Sequence, residues 1–216
     1  NIIENVSAKH VISSKFKANL WPSELRVFSV ETIGQAPVAA LKPYPCQPNE
    51  LAFLQYTSGT TSLPKGVMVT HANILANLHL IDHYSHYEIQ KTCSWLPPYH
   101  DMGLIAGIFF PLYSGVAALL IAPAFFLQSP FRWLELIAKE CVSTTYMPNF
   151  AFDYCVDKTT QEQVKELDLS SLKHAFNGAE PIHHQTAQRF YEHFKTAKLA
   201  SCALLTGYGL AENTLI

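Results

Sequence analysis

Two lengths of apolar patterning alternate along the chain. Short apolar runs rich in β-branched and aromatic residues read as strands. They are LRVFSV at 25–30, ELAFLQYT at 50–57, GVMVTH at 66–71, TCSWLP at 92–97, VSTTYM at 142–147, Leu172 to Phe176, and CALLTGYG at 202–209. Longer segments with helical spacing separate them: His71 to about Ser85, Pro130 to Glu140 with a proline at its start, Asn149 to Asp157, and Ile182 to Thr196. Residues 36–50 hold four prolines and read as an irregular connection. Strands alternating with helices predict an α/β fold, with a mainly parallel sheet flanked by helices. Several strands are apolar throughout, as a sheet covered on both faces requires. Ligands in such sheets bind beyond the carboxyl ends of the strands. The unusual loops all follow strands: YTSGTTSLPKG, LPPYHD, FNGAEP and TGYGLAE.

Charge changes this picture locally. Charged residues are 15% of the 216 positions, and the formal net charge is -2. No basic excess exists to attract nucleic acid or an anionic membrane. Between Leu51 and Phe131 the charges are Lys65, Asp82, Glu88, Lys91 and Asp101, and none occurs from Met102 to Phe131. A membrane span needs about 20 apolar residues, but Pro111 and Pro123 interrupt this run and Gly103, Gly107, Ser114 and Gly115 divide it. It reads as a buried helix over about 102–113, a turn, and a buried strand over about 116–122. The N-terminus, NIIENVSAKH, has no basic-then-apolar leader and no initiator Met. The chain therefore reads as a piece of something longer. Cysteines 46, 93, 141, 155 and 202 are scattered and odd in number, which fits reduced thiols in a cytoplasmic protein.

The loop Thr57-Ser58-Gly59-Thr60-Thr61-Ser62-Leu63-Pro64-Lys65-Gly66 packs hydroxyls, glycines and a lysine together. Hydroxyls and backbone N–H groups donate to phosphate oxygens, glycine allows close approach, and lysine adds charge. A polar hairpin would look the same. The loop is not the G-x-x-x-x-G-K-[ST] phosphate loop, and a strand follows it instead of a helix. His100 and Asp101 border the most apolar stretch. The histidine is either structural or catalytic, and Asp101 suits a helix cap. His79, His83 and His86 share one helix face, but no cysteine or carboxylate clearly completes a metal site, so they read as surface or packing groups. His183-His184 reads as the first turn of a helix.

YTSGTTSLPKGVMVTH resembles the phosphate-loop signature of adenylate-forming enzymes, the superfamily of acyl-CoA synthetases, peptide adenylation domains and luciferases. Its usual pattern is Thr-Ser-Gly-(Ser/Thr)-Thr-Gly-x-Pro-Lys-Gly, and Ser62 stands where glycine is commonest. The resemblance implies that Thr57, Ser58, Gly59, Thr60, Thr61 and Lys65 bind ATP phosphates. It implies that His100 faces the substrate carboxylate. Asn177, Gly178, Ala179 and Glu180 would back the adenine, Tyr208 would stack on it beside Gly209 and Leu210, and Glu212 would bind Mg²⁺. A carboxylate suits that hard cation.

The stretches HDMGLI, QSPFRWLELIAKECVSTTYMPNFAFDYCV, LDLSSLKHAFNGAEPI and GYGLAE resemble fatty acyl-AMP ligases, as does Ala211 before the metal-binding Glu212. That resemblance implies ATP-dependent activation of a fatty acid to fatty acyl-AMP, then transfer to an acyl carrier protein. Coenzyme A as acceptor, or a non-catalytic nucleotide- or acyl-binding fragment, stay open as alternatives. His100, Met147, Asn149, Phe150 and the segment from Leu104 to Phe110 are candidates for the acyl-pocket wall. The family's ribose-binding Asp and catalytic lysine would lie downstream of Ile216, and a portion would precede Asn1. Residues 1–216 thus resemble a central part of the large N-terminal domain of an adenylate-forming enzyme. The chain alone is expected to be inactive.

Overall fold

The computed structural model describes residues 2–14, 20–33, 42–57, 64–84 and 89–216. The chain divides into two compact units. In the smaller, residues 1–46 with 60–64, a short helix α1 (Ile2–Asn5) precedes two parallel strands, β1 (His10–Ser13) and β2 (Arg26–Ser29), and a turn of helix α2 (Val30–Ile33). β2 lies within the strand read at 25–30.

The larger unit opens with an antiparallel hairpin, β3 (Leu51–Thr57) and β4 (Lys65–Thr70). Helix α3 (His71–Tyr84) follows directly. Thr70 caps it: Asn73 N–H donates to Thr70 Oγ1 at 3.2 Å, and Thr70 N–H donates to Asn73 Oδ1 at 3.0 Å.

A five-stranded sheet contains β5 (Lys91–Ser94), β6 (Ala117–Leu120), β7 (Thr144–Met147), β8 (His174–Asn177) and β9 (Leu204–Thr206). Its order is β6-β5-β7-β8-β9 and every pairing is parallel. Helices α4 (Phe110–Ser114), α5 (Pro123–Gln128), α6 (Pro130–Lys139), α7 (Asn149–Asp157), α8 (Gln161–Lys165) and α9 (His184–Phe194) make the crossovers. The α/β class and parallel sheet agree with the pattern of apolar runs.

Alternate residues of the central strands separate two cores. Cys93, Met147 and Ala175 face a cluster with Trp133, Leu134, Ile137, Phe152, Phe190 and Phe194 from α6, α7 and α9. Tyr146 packs instead with Leu78, Met102, Ile105 and Phe110, and Phe176 lies against that second cluster. Both sheet faces are therefore covered, and this is why β7 is buried at all four positions.

The uncharged stretch departs from its expected form. Met102–Phe109 is π-helical and runs into α4, with the Phe110 N–H donating to Ile105 O. A Cβ at Gly103 would sit 2.1 Å from Pro97 O, and one at Gly107 2.8 Å from Ser94 Oγ, so this segment lies directly on β5 and the loop after it. The strand expected to be buried, β6, is largely exposed, with Leu120 at 57%. It is the sheet's edge strand, paired only with β5 among the described residues. Among the described residues, no helix is long and apolar enough to cross a membrane.

Candidate active site

Parallel register brings the ends of β7, β8 and β9 side by side. Met147 pairs with Asn177, and Asn177 with Thr206. Gly178 N–H donates to Met147 O at 3.3 Å, and Gly207 N–H to Asn177 O at 2.8 Å. The loops after these strands must therefore open together at one edge of the sheet. A cavity of about 1130 Å³ lies there, lined by Thr57, His100, Met102, Tyr146, Asn177, Gly178, Ala179, Tyr208, Gly209, Leu210 and Glu212 among others. Ligand pockets commonly fall in the range of about 300–1,000 Å³.

Each loop is held by identifiable contacts. A Cβ on Gly178 would meet Gly207 O at 2.9 Å, so the second and third loops touch through backbone alone. Ala179 adopts φ 68°, a left-handed conformation that strains a residue with a side chain. Tyr208 is 81% exposed, leaving its ring free to receive a planar group. Glu212 is exposed on the short turn Ala211–Asn213. That turn is tied to α3 by buried Asn77, whose Nδ2 donates to Asn213 O at 3.0 Å and to Ile216 O at 2.7 Å. Sequence reasoning passed over Asn77. Its signal is a polar residue inside the apolar run ILANLHL.

His100 and Asp101 form a pair, with Nδ1 and Oδ1 2.7 Å apart. A carboxylate only accepts, so that contact is a hydrogen bond only with the proton on Nδ1, although the Met102 N–H also points at Nδ1 from 3.3 Å. The Met102 N–H donates to Asp101 Oδ1 at 2.6 Å, making Asp101 the cap expected of it. The hydrogen bond to Asp101 raises the His100 pKa, with burial opposing and the Asp101 charge assisting. Burial works against the Asp101 carboxylate, but the His100 hydrogen bond and charge and the Met102 N–H together lower its pKa. Held this way, Nε2 is left over; it is a donor whenever the ring is protonated. Gln55 ties this loop to the hairpin by donating from Nε2 to Tyr99 O at 2.8 Å.

Several candidates stand elsewhere. Ser58, Gly59, Thr60 and Thr61 lie outside the described residues. Thr57 lines the cavity; Lys65, its partner across the hairpin, is exposed and off the cavity wall. Glu180 is also off the wall and accepts the Phe150 N–H at 2.7 Å, at the start of α7. Met147, Asn149 and Phe150, candidates for the acyl wall, do not line the cavity. Met147 points into the opposite core, Asn149 is a buried hydrogen-bonding residue, and Phe150 is 45% exposed, edge-on to Trp95. The apolar part of the wall comes instead from Ile81, Met102, Ala106, Tyr146, Phe176 and Leu215. Of the segment from Leu104 to Phe110, only Ala106 reaches it. The Tyr146 hydroxyl is buried with no hydrogen-bond partner among the described residues, and that burial raises its pKa.

His79 and His83 lie with ring centroids 6.4 Å apart, while His86 lies outside the described residues. Among the described residues no three or more His, Cys, Asp or Glu side chains cluster to hold a metal.

The sequence is 43% identical over 170 residues to a medium-chain-fatty-acid–acyl-carrier-protein ligase of Teredinibacter turnerae, covering 78% of this chain and 26% of that protein. It is 40% identical over 200 residues to a long-chain-fatty-acid–AMP ligase of Mycobacterium marinum, covering 90% of this chain and 34% of that one. The fold matches the fatty acyl-adenylate ligase of Legionella pneumophila, solved with acyl adenylate and pyrophosphate. That match has a TM-score of 0.88 and 38% identity, over 98% of this chain and 38% of that one. The chain thus spans about a quarter to a third of the length of the curated relatives it matches. The family model described as AMP-binding enzyme matches residues 3–216, nearly the whole chain, and the protein belongs to that family.

Proposed function

We propose that the whole protein carrying this chain activates a fatty acid with ATP, forming fatty acyl-AMP and releasing pyrophosphate, and passes the acyl group to an acyl carrier protein. One observation carries the reading. A single cavity at the carboxyl ends of parallel strands has an exposed aromatic ring, a carboxylate, an imidazole and an apolar wall. Adenine fits between the Asn177–Glu180 loop and the Tyr208 ring, beside Gly209 and Leu210. Thr57, Ser58, Gly59, Thr60, Thr61 and Lys65 hold the phosphates, and residues 1–216 form part of the nucleotide-binding domain.

Glu212 fits a magnesium ion. It is one exposed carboxylate in the cavity that Thr57 also lines, which leaves the ion's other positions to phosphate oxygens and water. When bound, the ion neutralises charge on those oxygens. His100 orients the fatty carboxylate by donating from Nε2, and Asp101 favours the charged imidazole. A carboxylate oxygen then forms a bond to the α-phosphorus while the bond to pyrophosphate breaks in line. No proton needs to move in that step, so positioning and charge neutralisation supply the catalysis. Each methylene buried against Ile81, Met102, Ala106 and Leu215 contributes about 0.8 kcal/mol.

The carrier-protein acceptor is supported by the likeness to the T. turnerae ligase, whose name pairs a fatty acid with an acyl carrier protein. The cytoplasm as its place is supported by the free cysteines 46, 93, 141, 155 and 202. The test supplies fatty acid, ATP and Mg²⁺, then either a carrier protein or coenzyme A. Pyrophosphate release followed by carrier acylation is expected. No pyrophosphate release would overturn the activity, and rapid thioester formation with coenzyme A would overturn the acceptor.

A further inference from the structure

We infer that Asn77 is a positioning residue for magnesium binding: it fixes the turn that carries Glu212 to the helix that continues the β3–β4 hairpin, and so sets the carboxylate before nucleotide binds. The inference rests on the reading of Glu212 given above.

Helix α3 is fixed to the hairpin at its start. β4 runs from Lys65 to Thr70, and α3 begins at the next residue. Its first N–H groups are tied to the residues that lead into β3: His71 N–H donates to Glu50 O at 3.2 Å, and Ala72 N–H to Pro48 O at 2.8 Å. Asn77 lies in the middle of this helix and is 5% exposed. Its amide can be oriented in one way only. Asn213 O and Ile216 O are backbone carbonyls, which only accept, so Nδ2 must face them. It donates one proton to each, at 3.0 Å and 2.7 Å. A side chain without a donor loses both bonds.

The two carbonyls bracket a strained segment. Between them Thr214 is buried, with φ 73° and ψ -51°, a conformation that is rare and unfavourable for a β-branched residue. Such a backbone persists only where its surroundings over-determine it. Three ties lie within the loop: Leu210 N–H donates to Leu215 O at 2.8 Å, Asn213 N–H to Leu210 O at 3.0 Å, and Thr214 N–H to Ala211 O at 2.9 Å. The two from Asn77 come from another element and so fix the loop relative to the hairpin. Glu212 adjoins Asn213, is exposed, and lines the cavity that Thr57 of β3 also lines. An exposed carboxylate has no packing of its own to hold it, so its place depends on the backbone that carries it. Losing the groups that orient a metal ligand typically costs about 10–100-fold in affinity.

The experiment measures ATP affinity of the whole protein with saturating Mg²⁺ and with EDTA in its place, and the ratio of the two is the readout. Wild type is expected to bind at least about tenfold more tightly with Mg²⁺, and Glu212→Gln to show a ratio within about threefold of one. Asn77→Ala should lose the gain as Glu212→Gln does, while its affinity in EDTA stays within about threefold of wild type. A merely structural role would weaken ATP binding equally in both conditions, and that outcome overturns the inference, as does a ratio kept in folded Asn77→Ala. If the variant fails to fold, wild type still decides. Without ATP or Mg²⁺, the N–H groups of Leu210, Asn213 and Thr214 should exchange with solvent deuterium at least about tenfold more slowly than in an unstructured chain. Protection that arises only after ATP and Mg²⁺ are added overturns the inference, because the ligand and not Asn77 would then order the turn. Each of these outcomes leaves the magnesium reading of Glu212 standing. No gain in wild type, or a gain undiminished in Glu212→Gln, removes that reading and this inference together.

Discussion

Gly209 lies two residues before the Ala211–Asn213 turn that carries Glu212, and its lack of a side chain is a packing requirement. A Cβ built there would lie 2.1 Å from Leu215 O, against a floor of 3.0 Å for real Cβ contacts, so about 0.9 Å of backbone movement is needed. The atom in the way cannot swing aside. Leu215 O accepts the Leu210 N–H at 2.8 Å, which closes the loop. Asn77 pins the same loop at Asn213 O and Ile216 O. Gly209→Ala must therefore displace the turn or break this closure. Overpacking of this kind costs about 1–3 kcal/mol, and a domain of this size loses roughly 2–4 °C of Tm per kcal/mol. A misplacement near 1 Å can also cost on the order of 10²-fold in rate. Gly207→Ala is the control: its Cβ would come no closer than 4.0 Å, to Asn177 O. The assays are thermal unfolding and ATP–pyrophosphate exchange in the whole protein. A Gly209→Ala variant that matches wild type in both, or alanine variants that lose stability equally, would show that position 209 tolerates a side chain.

Asp101→Asn removes the partner that raises the His100 pKa, so that pKa should fall. Loss of adenylate formation on the alkaline side should then begin at lower pH, while Asn still caps Met102; an unmoved pH profile would separate His100 from the carboxylate. The same pair gives stability a dependence on pH. The share from His100, whose pKa is raised, is complete below the ordinary histidine value and lost as pH rises through the raised value. The share from Asp101, whose pKa is lowered, is present above the ordinary carboxylate value and lost as pH falls through the lowered one. Tyr146→Phe removes a buried hydroxyl that makes no hydrogen bond among the described residues. Denaturation should show unchanged stability or a gain of about 1 kcal/mol, and a loss above about 1 kcal/mol would mean the hydroxyl is paired.

What was legible in the sequence were features with a local cause. The strand runs at 142–147 and 202–209 and the helix Asn149–Asp157 are set by β-branching and apolar spacing over a few residues, and the structure has an element at each. Loops rich in glycine and hydroxyls stand out for the same reason. The side-chain bonds that tie α7 to α9 and β8, from Asn149 to Thr186 and Asn177 and from Asp153 to Thr186 and Arg189, were not legible, because they join residues 28 to 37 positions apart and no period in the chain marks them. Asn149 could be noticed beside the apolar Met147 but not understood. Helix α8 was a missed opportunity of a different kind. Thr160 and Gln163 form a capping box, a signature with the fixed spacing that local reading can find. Helix α5 offered no such mark: it has no charged residue and no side-chain cap, so it merged with the uncharged run around it.

That run holds two kinds of surface that composition cannot tell apart. From Met102 to Phe110 the lack of charge has an internal cause, because Met102, Ile105, Ala106 and Phe110 fill the core under Tyr146. Beyond Phe110 core packing continues at Phe126, against which Phe125 and Trp95 also pack, but exposed apolar residues join it. Leu112 is 75% exposed, Leu120 57% and Leu127 48%, on α4, edge strand β6 and α5. Exposed apolar side chains therefore stand on three successive elements of the uncharged run. The relatives this chain matches are about three times its length, since 170 and 200 matched residues make up 26% and 34% of them. The absence of charge from 102 to 131 is thus one compositional signal with two physical origins: core packing, from Met102 to Phe110 and again at Leu119, Ile121, Phe125, Phe126 and Phe131, and exposed apolar side chains on α4, β6 and α5.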